Sequence, residues 1–318
     1  MAAKFGPGGN SESFYAEGFK STLQAPGWVR ARGLDAYEYQ GGNGITASPK
    51  TLAAIGQKAA EHGVAMSLHA PYYISLSSEF EEKRAKSLDY IAACADAGEA
   101  LGARIMVVHT GSAAKISRET AMAYAADTVE KACALLAEKR TSVRMGLETM
   151  GKQNQLGTLD EVLRLCAIAP AILAPVVDFG HLNAREGGVL RTADDYKRIF
   201  DAISSALGGE AAETLHCHFS QIEYTKMGEK RHLTFADETF GPFFGPLAEA
   251  IVSLGVSPHD HLRVRGDDGR GRAADEGAAV CCRTTRRTRI RRAAETLSSA
   301  SFSSACCWPR PDWPCWRG

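Results

Sequence analysis

Along residues 1–257 short apolar runs alternate with longer stretches in which apolar residues recur at helical spacing. The strand-like runs fall at 3–6, 34–39, 65–70, 104–110, 143–149, 174–179 and 213–219. Helix-period stretches occupy 48–62, 78–101, 117–139, 158–168, 192–206 and 241–254. Ser48-Pro49 and Thr158-Leu-Asp-Glu161 carry helix start signals, the second in capping-box spacing. Gly63 and Gly102 stand where glycines end helices. Strands that alternate with helices call for a parallel sheet. Seven such strands favour an α/β fold of the (β/α)8 TIM-barrel type, which takes about 250 residues and carries its reactive groups at the C-terminal ends of the strands. The eighth strand is expected at 258–264, where the sequence changes character.

The strand-like runs share a second property, which is how they end. They read Ala-Met-Ser-Leu-His69, Ile-Met-Val-Val-His109, Arg-Met-Gly-Leu-Glu148, Ala-Pro-Val-Val-Asp178 and Glu-Thr-Leu-His216, and His181 follows Asp178 by three residues. A His or carboxylate buried behind an apolar run is costly unless something pairs with it. Five such endings, each about one strand-plus-helix unit from the next, imply convergence on one point. Imidazoles and carboxylates together suit zinc, and also manganese or iron. Three His from separate strands plus Glu148 and Asp178 exceed what one tetrahedral ion takes. A carboxylate shared between ions makes a multi-metal site, suited to phosphoryl displacement. His218 shares a strand face with His216 because side chains alternate, so either can be the ligand while the other lines the site.

Charge and composition divide the chain. From Pro258 onward there are 12 of the Arg residues, no Lys and 7 acidic residues, which leaves 25 basic against 30 acidic residues in 1–257. Bulk charge therefore argues mildly against nucleic acid, although bound divalent cations reverse the local sign. Residues 258–318 also hold Cys281, Cys282, Cys306, Cys307 and Cys315, and three of the four Trp. Two readings stay open for this segment: a divergent, disordered basic tail, or a GC-rich gene read out of frame. From His259 to Gly266, a shift of one base permits Thr-Ile-Ile-Ser-Glu-Ser-Ala, a β-branched strand bearing a carboxylate. The Cys pairs lack structural-zinc spacing. The expected organisation is thus a metal-dependent barrel at 1–257 and an aberrant Arg-, Cys- and Trp-rich tail at 258–318. No run is long and apolar enough to span a membrane, and the N-terminus lacks the apolar core of a signal peptide, so a cytoplasmic protein with reduced thiols is expected.

The motifs His69-Ala-Pro-Tyr72, Val-Val-His109-Thr-Gly111, Leu-Glu148-Thr, Val-Asp178-Phe-Gly-His181 and Leu-His216-Cys-His-Phe-Ser220 resemble the endonuclease IV family of apurinic/apyrimidinic endonucleases, within the xylose isomerase-like barrel group. The resemblance spans residues 1–257, and Asp178-x-x-His181 is its most specific part. It implies cleavage of double-stranded DNA 5′ to abasic sites by a chain acting as a monomer, with no membrane partner. It also implies two to three zinc ions. His69 and His109 match ligands of the first zinc, and Glu148 matches the catalytic carboxylate that bridges to the second. Asp178 and His216 match second-zinc ligands, and His181 a third-zinc ligand. Tyr72 matches a residue placed against DNA; His218, where it is not the ligand, is expected to line the substrate site. Three departures stand out. The family's Asp-x-His after strand seven is replaced by Gly228-Glu229-Lys-Arg-His232, so Glu229 and His232 are the candidates for the rest of the third shell. Gln40-Gly-Gly-Asn-Gly44 stands where the family carries a DNA-reading Arg. The Glu that ends the family's eighth strand is missing. The competing expectation is a sugar isomerase or epimerase of the same barrel group, working with one divalent metal.

Overall fold

The computed structural model describes residues 3–233 and 239–258. Two short helices, α1 (Glu12–Ala16) and α2 (Ala25–Ala31), precede a regular βα alternation. It runs β1 (Ala36–Gln40), α3 (Pro49–His62), β2 (Ala65–His69), α4 (Glu81–Leu101), β3 (Ala103–His109), α5 (Arg118–Lys139), β4 (Arg144–Glu148), α6 (Leu159–Cys166) and β5 (Leu173–Asp178). After β5 come α7 (Phe179–Arg185), α8 (Ala193–Leu207), α9 (Gly209–Glu213) and β6 (His216–His218). A hairpin of β7 (Ile222–Thr225) and β8 (Gly228–His232) follows, then α10 (Phe244–Leu254). Strands β1 to β6 lie side by side in sequence order, all parallel, and the hairpin forms a separate antiparallel pair. This is a parallel α/β barrel sheet with its helices outside.

Local chemistry accounts for the helix boundaries. The Thr158 hydroxyl accepts the Glu161 N–H and the Glu161 carboxylate answers at the cap, closing the expected capping box. Gly63 and Gly102 end α3 and α4 in the left-handed conformation. The sheet has two different faces. Leu68, Met106, Val108, Leu147 and Val177 join Ile91, Val129 and Ile203 in one continuous core between strands and helices. The alternate residues Ile105, Val107, Ala174 and Val176 form a smaller apolar cluster on the inner face. Directly above that inner cluster the same face turns polar, and there the site begins.

Several expectations need correction. Residues 3–6 form no regular strand, yet they run beside β1: the Asp35 and Ala36 N–H groups donate to Phe5 O, Glu38 N–H donates to Pro7 O, and Gly9 N–H donates to Glu38 O. Pro7 has no N–H to continue the ladder, so the pairing is broken into bridges. The run at 213–219 shortens to His216–His218, because 209–213 forms α9. Helix α7 was not anticipated, and neither was the hairpin. The expected eighth strand at 258–264 lies, apart from Pro258, outside the described residues, as does the tail. Lys4 N–H donates to Pro258 O at 3.4 Å, which brings the chain back beside its beginning. Among the described residues no helix is long and apolar enough to cross a membrane.

Candidate metal centre

Strand alternation puts Ser67 and His69 of β2, Val107 and His109 of β3, and Glu148 of β4 on the inner face. The pairings His109 with Glu148 and Asp178 with His218 bring the polar strand ends to one level. Glu148 is wholly buried at the centre. Its Oε2 faces His109 Nε2 at 3.2 Å and His69 Nε2 at 3.4 Å, and its Oε1 lies 2.6 Å from His218 Nδ1. These side chains form two ligand groups that share one carboxylate: His69, His109 and Glu148, then Glu148, Asp178 and His218. Within each group the donor atoms lie within 4.8 Å of one another.

A third group consists of His181, Glu229 and His232. Glu229 Oε2 is 3.6 Å from His181 Nε2, and Oε1 is 3.6 Å from His232 Nε2. Glu229 and His232 are three residues apart, and a regular strand would send them to opposite faces. The hairpin solves this by a bulge. Tyr224 pairs with Glu229 and Glu223 pairs with Arg231, so Lys230 is the extra residue and the parity changes across it. The sequence departs from Asp-x-His by one inserted residue, and the backbone absorbs that insertion.

Second contacts set which imidazole nitrogen is available. His69 Nδ1 donates to Ala70 O at 2.9 Å, and His181 Nδ1 donates to Thr149 O at 2.8 Å. A carbonyl can only accept, so in the neutral form both rings carry their proton on Nδ1 and turn the Nε2 lone pair to the site. His232 Nδ1 pairs with the Ser220 hydroxyl at 2.9 Å and likewise turns Nε2 towards Glu229. Such outer partners are what hold imidazoles ready for metal ions. Asp178 does two jobs. Its Oδ1 caps α7 by accepting the His181 N–H at 2.8 Å, whereas its buried Oδ2, 3.5 Å from His181 Nδ1, accepts no hydrogen bond among the described residues. A buried carboxylate oxygen without a donor is rare unless a cation belongs there. The donor set fits divalent metal.

The electrostatics agree. Burial alone would raise the Glu148 carboxyl, but the charge on His218 and contacts with His109, His218 and His69 hold it well below the usual carboxylate range. Burial would also lower His218, yet Glu38 and Glu148 on either side raise it to about 10. Burial likewise opposes the charge on His181, and Asp178, Glu148 and Glu229 together raise it. The protein's own cations thus offset buried carboxylates at the places where metal ions can take over that role.

Two findings differ from the sequence expectation. His216, expected beside Asp178, pairs in register with Val176 and lies one layer deeper, while His218 takes the level of Asp178. His218, expected either as the alternative ligand or as a lining residue, therefore belongs to the Glu148 and Asp178 group. The other difference is Glu38, which sequence reasoning missed. It is wholly buried in β1, with His216 Nε2 at 3.2 Å and His218 Nε2 at 3.1 Å from its Oε2. The available signal was a carboxylate between two Tyr in a strand whose neighbours are apolar. At the rim, Tyr72 is partly exposed, with its ring centroid 5.3 Å from that of His69 and 5.5 Å from that of His109. Lys230 and Arg231 of the hairpin both pair with Glu223.

The sequence pattern of the xylose isomerase-like TIM barrel matches residues 26–278. The chain belongs to that family. Within curated proteins, this xylose isomerase-like barrel is 33% identical over 186 residues to an uncharacterized protein of Methanocaldococcus jannaschii, covering 58% of this chain and 67% of the relative. It is also 28% identical over 142 residues to a probable endonuclease 4 of Acholeplasma laidlawii, spanning 43% of this chain and about half (47%) of that relative. In fold it is similar to endonuclease IV from Thermus thermophilus, with a TM-score of 0.66 at 20% identity over 90% of this chain and 99% of the other. It is nearly as similar to a D-tagatose 3-epimerase-like protein, with a TM-score of 0.65 at 16% identity over 91% and 99%. In fold, then, the chain resembles solved proteins of both kinds that the sequence set in competition.

Proposed function

We propose that the chain is a metal-dependent phosphodiester hydrolase of the endonuclease IV type, acting as a monomer on double-stranded DNA at abasic sites, with zinc as its metal and manganese or iron as substitutes. One observation carries this reading: Glu148 is shared between two ligand groups, and a third His-rich group adjoins them. A one-metal isomerase has no use for three such groups. The residues that would hold the ions are His69, His109 and Glu148; Glu148, Asp178 and His218; and His181, Glu229 and His232. Bound divalent ions supply a water acidified to near neutrality and positive charge against a phosphate. The chain's own part is to fix their ligands: Ala70 O and Thr149 O orient His69 and His181, and His218, His109 and His69 hold the buried Glu148 carboxylate ionised. Tyr72 at the rim offers a ring on which an unpaired base or sugar can stack.

A sugar epimerase remains the second reading, favoured by a specific observation. Lys230 and Arg231 are held by Glu223, and the loop Gln40–Gly44 carries no cation, so these two parts of the rim offer little positive charge to a phosphate backbone. Metal content and activity separate the two. Zinc-loaded protein should hold more than one ion per chain and nick a duplex with a single abasic site, and Glu148→Gln should abolish the nick. One ion per chain with an intact duplex and epimerised ketose would overturn the endonuclease reading.

A further inference from the structure

Glu38 sits beneath the metal centre with an unusual set of partners. Its Oε2 accepts from Ser67 Oγ at 3.0 Å and faces His216 Nε2 at 3.2 Å and His218 Nε2 at 3.1 Å. Its Oε1 accepts from the Gln40 amide at 3.2 Å. All these groups but Gln40 are buried. Three donors converging on one oxygen make it a fixed acceptor. The other nitrogen of His218, Nδ1, faces Glu148 Oε1 at 2.6 Å, in the group that includes Asp178. As a metal ligand the imidazole is neutral, with one N–H and one lone pair. If the N–H points at Glu38, the lone pair points at Glu148 and Asp178.

We propose that Glu38 is a positioning residue for the metal centre: it fixes the Nε2–H of His218 so that Nδ1 serves the ion held with Glu148 and Asp178, while His216 braces Glu38 from below and takes no ion. This rests on the metal-centre reading above. A carboxylate on the far nitrogen of a ligand His holds the ring, selects the tautomer and raises the basicity of the near nitrogen. Depth is consistent with this division of labour. His218 is level with Asp178, and His216 is level with Val176, in the apolar layer below. The rival arrangement is a metal ion held by Glu38, His216 and His218 themselves, whose donor atoms also lie within 4.8 Å of one another. It would take His218 Nε2 away from Glu38 and displace the Ser67 hydroxyl from a filled oxygen.

The test is ion counting on the zinc-loaded full chain by elemental mass spectrometry, with affinities from competition against a chromophoric chelator. His218→Ala should lose one ion per chain and His216→Ala none. Glu38→Gln keeps an acceptor but loses the charge, and should weaken one ion about tenfold; Glu38→Leu removes the acceptor, and should weaken the same ion towards about 100-fold. Nitrogen NMR of the wild-type chain loaded with a spin-active cadmium isotope needs no variant to fold, and should show metal coupling at His218 Nδ1 with the proton on Nε2. Loss of an ion in His216→Ala, metal coupling at Nε2, or wild-type affinities in both Glu38 variants would overturn the inference and leave the metal centre standing. A wild-type chain that binds no divalent ion would remove both.

Discussion

Replacing Arg185 with methionine tests how the loop after β4 is held against the third ligand group. Arg185, at the end of α7, is buried, and its guanidinium spans four backbone carbonyls. Nη1 donates to Met150 O at 3.1 Å and Lys152 O at 2.6 Å; Nη2 donates to Gln153 O at 3.2 Å and Gln155 O at 3.1 Å. Bonds to a charged donor are worth about 1.5–3 kcal/mol each, but simple addition overstates the loss. Lys152 O retains the Gln155 N–H, and Gln153 O and Gln155 O retain Arg118 at 3.1 and 3.0 Å. Met150 O keeps no other donor among the described residues. An orphaned buried carbonyl costs about 1–3 kcal/mol, and relief from burying the cation offsets part of the remaining loss. Methionine preserves most of the packing volume, so Arg185→Met should cost about 2–4 kcal/mol of stability.

Urea unfolding of chelator-treated protein, followed by far-ultraviolet circular dichroism, reads this directly. The loop also anchors the hairpin, through Glu229 N–H to Gly151 O at 3.0 Å and Gln153 N–H to Met227 O at 3.1 Å. Zinc-loaded Arg185→Met should therefore lose the ion at His181, Glu229 and His232 before the others. Arg185→Lys, with a compact ammonium in place of a fork, should fall between wild type and methionine. A stability within about 0.5 kcal/mol of wild type would refute the reasoning, because that is the range of an ordinary surface substitution.

Four further outcomes are expected. In Gly151→Ala the new Cβ would lie 2.7 Å from Glu229 Cβ and 2.8 Å from its Oε2, so metal analysis should show the third group emptied while the fold survives. Tyr72→Ala should weaken binding of an abasic duplex by about 1–3 kcal/mol in a titration, with ion content unchanged. Asp195, in the capping box of α8, is lowered to about 2 by the Thr192 hydroxyl, the Thr192 and Arg191 N–H groups and Arg198. Its folded value lies below the ordinary 3.8, so its stabilisation is present above that value and disappears as pH falls through about 2. Asp195→Asn should cost about 1 kcal/mol at neutral pH and nothing at the acid end, as read by thermal unfolding across pH. Chelation should lower the melting temperature of the wild-type chain, and added zinc should restore it; no shift would mean that the clustered ligands hold no ion.

The six long helices were legible because their signals are local. Thr158 with Glu161 and the glycines at 63 and 102 mark their own helix ends, and the period of the intervening residues does not depend on distant partners. The strand-ending ligands were legible for the same kind of reason, since a His or carboxylate that closes an apolar run needs a partner wherever the run goes. Glu38 was not, because it sits inside its run. Nothing local distinguishes a carboxylate facing the barrel interior from one facing solvent until the neighbouring strands are in place. Helix α7 was hidden as well. Its start signal, Asp178 three residues before His181, is also the ligand motif, and the structure shows the same two residues serving as cap and as metal-type ligands.

The sequence by itself determined the barrel rhythm, the polar ends of its strands and the kind of chemistry those ends support, because all three follow from side-chain alternation and residue type. Only the tertiary structure decided which residues meet. His218 rather than His216 joins Glu148 and Asp178 because the register between β5 and β6 is a property of two strands, not of one. Glu229 reaches His181 and His232 because a bulge at Lys230 changes the parity of β8, and a bulge is set by the partner strand. Glu38 becomes part of the site only when the closing sheet carries His216 and His218 across to it.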